Sequence, residues 1–472
     1  MRKGGGLMIR ISGFENCLLN DFSLVKRANC HSECTFKVIL PYDSSLSDKI
    51  NSEISIDNGG EYIFFGYIDE ISADNNFAGT VTVFHAVSYS KKSDIKPMKR
   101  IFQNPEKTLG SVMNIVSDKG GYKTDCTCGE KFEMPVIQNG ETDFRFMVRL
   151  SEEKNLRLYV CDSIKSGDIH FIADKYTDKS AADINSVPER LNFLSVCDPK
   201  NGENYTVKKI TLSGQYIEIG RKVKFGGETG YVVQMRIYME DFAFHYEYLI
   251  YPENRQPEFE MPMLPEYILM KAVTTENDSQ SSAHSGMIKV RFECDYDDPE
   301  PDCPVWIPYI TPYSSERGGI VFMPEKDDTV YVTYSSGTIY ASEYFGEKPL
   351  DGKFRDFDKK YISLYNKIIT FSEEQLEIRS DENTISLTKD SISLNSGDTS
   401  VELNSKGITF KVKDCVFKMD EKSARLDTGD SKLNIGSDMT AESNNVKISG
   451  SGNISVKSGK EVLISGTKIH LK

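Results

Sequence analysis

The feature that most constrains this chain is a short apolar period filling its last hundred or so residues. From about Lys367 to Lys472, strand-like pieces recur, centred on Ile369, Leu376, Ile385, Ile392, Val401, Ile408, Val416, Leu426, Leu433, Met439, Val446, Ile454, Val462 and Ile469. Clusters such as Asn395-Ser396-Gly397-Asp398 and Ser449-Gly450-Ser451-Gly452 punctuate them as turns. Within a piece the apolar residues alternate, as in Ile385-Ser386-Leu387 and Ile392-Ser393-Leu394, the period of two that belongs to β-strands. No helix fits a unit of roughly eight residues, so the pattern predicts a β-helix or β-prism in which each repeat supplies one side of a coil. One chain alone would expose a thin apolar ridge. Winding identical chains round a common axis buries that ridge, and three chains give a triangular prism. A single-chain solenoid and a plain β-sandwich are the alternatives that the period leaves open.

The 472 residues leave room for two to four domains with sizeable cores. Against 57 basic residues stand 71 acidic ones, a net charge of −14, which argues against a phosphate-binding surface made of clustered cations. The ten cysteines are scattered, and Met1-Arg2-Lys3 leads into glycines and a short apolar run rather than a secretory signal. A cytosolic chain with mostly free thiols is expected. No apolar stretch is long enough to span a membrane as a helix.

Upstream of the repeats the chain is strand-rich, with Phe36 to Leu40, Tyr62 to Ile68 and Thr80 to Phe84 set between turn signals. A small barrel is expected there. A helix follows, with Asn104 as cap, Pro105 at its first position and Leu109, Val112, Met113 and Val116 on one face. A second helix is predicted from near Thr142. Strands resume through Tyr251, and the prolines at 252, 257, 262 and 265 with the polar run Thr274 to Ser285 read as a linker.

At this point the chain shows a run that resembles a known family. Gly286 to Phe292, Val305-Trp306-Ile307-Pro308 and Phe322-Met323-Pro324-Glu325-Lys326-Asp327-Asp328-Thr329-Val330-Tyr331-Val332 are similar to the small OB-fold barrel of VgrG-type spike and phage late-control hub proteins. Asn29-Cys30-His31, Gly66-Tyr67-Ile68, Ile101 to Pro105 with Thr108, Gln138 to Phe144, and Ile219 to Val223 resemble successive segments of that family's hub domain. Where the family usually has Gly-Asp, this chain has Asp327-Asp328, which loses glycine's access to positive φ.

The resemblance implies a mainly β chain. Residues 1–260 would form a hub of two barrel-like halves with inserted helices, 261–285 a linker, 286–350 an OB-fold domain and 351–472 a trimeric β-helix spike. It also implies a function: a homotrimeric, non-enzymatic hub and membrane-piercing spike of a contractile injection system, of the type VI secretion or phage-tail-like kind. Implied partners are an Hcp-like tube hexamer, a PAAR-like tip protein, other baseplate proteins and effectors, with no nucleic acid and no cofactor. The chain would be assembled in the cytoplasm and then ejected.

Inward spike positions are expected at Ile369, Leu376, Ile385, Ile392, Val401, Ile408, Ile454 and Val462, and tip docking at Ile469, Leu471 and Lys472. The OB core is expected from Val290, Phe292, Trp306, Val330 and Val332. A trimeric β-solenoid adhesin is the competing reading, and it would call for a secretory signal, disulfides and exposed aromatic platforms.

Chemical sites are weak by comparison. Cys30 with Cys34, and Cys126 with Cys128, lack the usual C-x2-C zinc spacing, and alternation places Cys30 and Cys34 on one face beside Phe36 and Val38 as buried thiols. The acidic run Asp295 to Asp302 lacks a calcium loop's glycine and glutamate spacing. His470 is expected to face outward, away from Ile469 and Leu471. No nucleophile elbow, HExxH, P-loop or GxGxxG occurs.

Overall fold

A computed structural model describes residues 9–41, 46–76, 79–104, 106–132, 134–164, 168–198, 202–255, 267–276, 286–293, 303–310, 313–315, 318–320, 323–335, 338–344 and 359–470. The chain divides into two compact units, Met1–Glu347 and Lys348–Lys472.

The first unit is built on one large sheet. From one edge, six strands of the N-terminal part run in the order Ile9–Ile11, Glu53–Asn58, Glu61–Asn76, Gly79–Ser88, Glu33–Leu40, Leu19–Arg27. The sheet then continues through Glu228–Glu240, Ala243–Pro252, Asn204–Leu212 and Arg190–Cys197, while Arg221–Phe225 and Asp178–Asp183 branch from Glu228–Glu240. Along the strands alternation puts Phe36, Val38, Phe84, Met235, Ile237 and Tyr248 on inward faces, where they are buried in one shared core. At Gly66 an added Cβ would meet Val87 O at 2.1 Å, a close approach that only glycine permits.

Helices α1 (Leu109–Gly120) and α2 (Asp143–Glu153) are inserted between the two halves and pack over a three-stranded sheet of Lys123–Cys126, His170–Asp174 and Arg157–Val160. Thr108 caps α1 in a capping box with Ser111, four residues beyond the Asn104 cap expected from sequence. Asn104 instead accepts from the Glu106 amide, an Asx turn that precedes the helix. Pro105 lies outside the described residues. Thr142 caps α2 as expected.

A second, five-stranded sheet orders Val305–Pro308, Met287–Phe292, Tyr267–Glu276, Thr329–Ser335 and Thr338–Tyr344. Its middle strand, Tyr267–Glu276, falls inside the stretch read from sequence as a linker. The flanking prolines and polar run hid an alternating strand whose Ile268, Met270 and Ala272 are buried. This barrel shares its core with the hub. Ile101 and Ile137, from the ribbon formed by Pro97–Phe102 and Val136–Thr142, pack into its apolar cluster, and Gln103 Oε1 accepts from the Phe292 amide at 3.0 Å. Asp327 sits at φ 68°, so the turn keeps its left-handed geometry with an aspartate in it.

In the second unit eleven strands, from Lys360–Leu364 to Met439–Ser443, form an antiparallel meander in which each strand pairs only with its sequence neighbours. The coil-like repeat expected from the period is therefore a hairpin ladder within one chain. Tyr365, Asp381, Gly397, Lys413 and Gly429 all have positive φ and recur every sixteen residues, one tight turn per hairpin. Residues 444–470 carry no strand assignment.

Candidate functional site: an uncovered apolar face on the tail sheet

Register decides what the tail presents. Directly opposed residues in an antiparallel ladder share a face, so the pairings link Ile362, Ile369, Ile378, Ile385, Leu394, Val401, Phe410, Phe417, Leu426 and Leu433 into one continuous row. Two residues along each strand, on the same face, a second row joins Phe371, Leu376, Leu387, Ile392, Leu403, Ile408 and Met419. The opposite face reads Arg379, Thr384, Asn395, Ser400, Lys411 and is polar almost throughout. Among the described residues of this unit, none is buried. Ile385 is 38%, Ile392 45%, Leu394 41% and Phe410 44% exposed. Exposed apolar faces of this extent are characteristic of interaction surfaces.

The structure puts Ile369, Ile385 and Val401 in the first row and Leu376, Ile392 and Ile408 in the second, all six on this face. Sequence reasoning chose one residue per strand and missed that each strand contributes two; the Ile-x-Leu alternation was the available signal. Val416 lies on the polar face and Phe417 replaces it, because the tight turn Val412–Cys415 fixes the register one residue away. Ile454 and Val462, expected as inward strand positions, lie in the segment without strand assignment and are half exposed, since no partner strand within the chain reaches them. Ile469 is likewise exposed, and Leu471 and Lys472 lie outside the described residues. His470 is exposed.

In the OB barrel Val290, Phe292, Val330 and Val332 are buried together, whereas Trp306 is half-buried on the outer face with Lys289 Nζ 5.7 Å from its ring centre. The hub holds a constellation invisible in sequence: His31 Nδ1 lies 2.7 Å from Ser90 Oγ, and its Nε2 lies 3.5 Å from Asp94 Oδ2. It is not a nucleophilic triad, because Ser90 is buried and Ser88 Oγ is also 2.7 Å away, leaving no approach for a substrate. Burial pushes the His31 pKa below its ordinary value. Burial opposes charge on Asp94, but hydrogen bonds from His31 and Thr142 hold its carboxyl below the usual range. The cluster pins the start of α2 to the sheet.

Deeper in the hub, Lys26 Nζ reaches Asp162 at 2.5 Å and Glu218 at 3.0 Å, with no exposure of the ammonium. Burial raises the Asp162 pKa, and it would lower that of Lys26, but the two carboxylates outweigh it and hold the ammonium above its ordinary value. Cys34 is buried and Cys30 half-buried, and no three His, Cys, Asp or Glu side chains converge as a metal site among the described residues. The acidic run at 295–302 lies outside them.

Comparison with known proteins now bears on this geometry. Residues 271–343 match the family described as the type VI secretion system/phage-baseplate injector OB domain. The barrel is similar to an injector OB domain. The matched span begins inside the strand Tyr267–Glu276, in accord with the five-stranded sheet.

Two solved structures show the likeness beyond the OB domain. One is the E. coli c3393 protein, described as a component of the type VI secretion system with structural similarity to the T4 bacteriophage tail proteins gp27 and gp5. It superposes with a TM-score of 0.50 at 10% identity, over 72% of this chain and 100% of that one. The other is a chain of the half-lidded Francisella PdpA–VgrG complex, with a TM-score of 0.51 at 11% identity, over 90% of this chain and 84% of that one. At these identities the likeness is one of fold alone. No curated protein matches the chain by sequence.

Proposed function

We propose that the chain is a structural, non-enzymatic hub and spike subunit of a contractile injection system, of the type VI secretion or phage-tail-like kind, and that it works as a homotrimer. The observation that carries this reading is the tail sheet, with one face doubly striped with apolar side chains and the other polar. Three such sheets, set face inward, close a prism and bury both rows at about 25 cal/mol for each Å² of apolar surface removed from water. Residues 444–470 repeat Val446-x-Ile448, Ile454-x-Val456 and Val462-x-Ile464 at eight-residue spacing yet form no strand pairing among the described residues, which fits strands completed by other copies.

A prism hydrogen-bonded along its length resists bending, so the role is to transmit axial force and pierce a membrane rather than to turn over a substrate. The hub would nucleate an inner tube of Hcp-like hexamers, and the end near Ile469, Leu471 and Lys472 would take a PAAR-like tip or an effector. Assembly in the cytoplasm and ejection afterwards follow from that role. Light scattering tests it: full-length protein should have three times the 53.3 kDa chain mass, and Ile385→Asp with Leu394→Asp should reduce it to one chain. A monomeric full-length protein would overturn the proposal.

A further inference from the structure

The hub has its own unfinished edge. Arg190–Cys197 is a terminal strand of the large sheet and, among the described residues, pairs only with Asn204–Leu212. Its core-facing side continues rows that become buried further into the sheet. Leu191 stands in line with Ile210, Tyr248, Met235 and Lys26, all fully buried, yet is itself 40% exposed. Phe193 continues the row of Lys208, Ile250 and Val232 and is 61% exposed. On the other side Leu194 is 45% exposed, so the strand is apolar and open on both faces and along its outer backbone.

Soluble proteins protect such an edge with charge, proline or a bulge. Here residues 191–197, Leu-Asn-Phe-Leu-Ser-Val-Cys, hold no charged side chain in a chain that is 27% charged. The pairing with Asn204–Leu212 runs without a bulge.

We infer that the Arg190–Cys197 edge is a contact between copies of this chain, where a strand of the neighbouring copy adds to the sheet and covers Leu191 and Phe193. Two observations favour a second copy over a foreign partner. At a net charge of −14, copies repel one another except where an uncharged strip lets them meet. Among the described residues the same sheet also ends in the strand Ile9–Ile11 at its other end, with Asp178–Asp183 as a further terminal strand on the branch, so a head-to-tail contact between unlike edges is available, as a closed cyclic ring requires. The inference rests on the proposed homotrimer.

The test is hydrogen exchange on the full-length protein, with its mass measured in the same buffer. In the trimer the outward amides of residues 190–197 should exchange at least about tenfold more slowly than in the Ile385→Asp/Leu394→Asp monomer. Phe193→Lys should restore fast exchange there and leave Glu33–Leu40 protected, which shows that the hub is still folded. A trimer whose edge amides exchange as fast as those of the monomer overturns the edge contact and leaves the homotrimer standing. Slow exchange in both forms overturns it too, because the cover would then lie within one chain. A full-length monomer overturns the homotrimer and the contact together.

Discussion

The two compact units solve the same problem in opposite ways. In the first, strands fold back so that Phe36, Phe84, Met235 and Tyr248 are sealed from water by their own chain. In the second, strands as regular and as apolar leave every described side chain at least partly wet. The difference lies in topology. The large sheet joins strands far apart in sequence over one shared core, whereas each strand of the tail pairs only with its neighbours in sequence and leaves its apolar face exposed. Apolar content alone therefore does not fix where a core forms; the order of strand pairing does.

The strongest way to break this comparison is to charge the tail. Phe410→Asp with Phe417→Asp, whose ring centres lie 6.0 Å apart in one row, should abolish association by light scattering and leave the hub's calorimetric transition in place. A hub transition that falls with it would mean that the units are not energetically separate.

The converse change is Lys26→Met. It strands Asp162 and Glu218 in the hub and should cost roughly 3–5 kcal/mol in denaturant unfolding, with the mass of the assembly unchanged.

A smaller effect should come from pH. Because the folded protein resists protonation of His31, whose ordinary pKa is 6.5, the unfolded chain takes up more protons below that value. This contribution is present above pH 6.5 and is lost as pH falls towards the depressed folded pKa. His31→Gln should flatten that slope in hub unfolding measured between those limits.

The smallest expected effects come from left-handed turns. Asp327→Gly in the OB domain and Lys413→Gly in the tail should each relieve about 0.5–1 kcal/mol of backbone strain. Asp327→Gly should raise the hub's melting temperature. Lys413→Gly should show itself only in the assembled tail, so a stabilised monomer would count against assembly-dependent folding.

Legibility followed the range of the interactions. The alternation that marks a strand is local, so the tail's strands and the common apolar face of Ile385, Ile392 and Val401 could be read directly. Their pairing could not, because register depends on turn geometry: Val416 and Phe417 are both apolar, and only the turn at Lys413 says which joins the apolar face. Tyr267–Glu276 was obscured for a related reason, since the prolines before it and the polar run after it outweigh a strand one of whose partners, Thr329–Ser335, lies far along the chain. The Ser90, His31 and Asp94 cluster and the Lys26 network join residues tens to nearly two hundred positions apart, and no spacing rule reaches that far. The turn at Asp327 was flagged by the missing glycine alone.

The ribbon of Pro97–Phe102 and Val136–Thr142 has one further consequence. It gives Phe102 and Val136 to the core under the helices, and Ile101 and Ile137 to the OB domain. The domain is thus not a portable cassette. Excised at its sequence boundaries it would lose two isoleucines from its interior and the acceptor for the Phe292 amide, so any graft of this barrel onto another scaffold has to bring the ribbon with it.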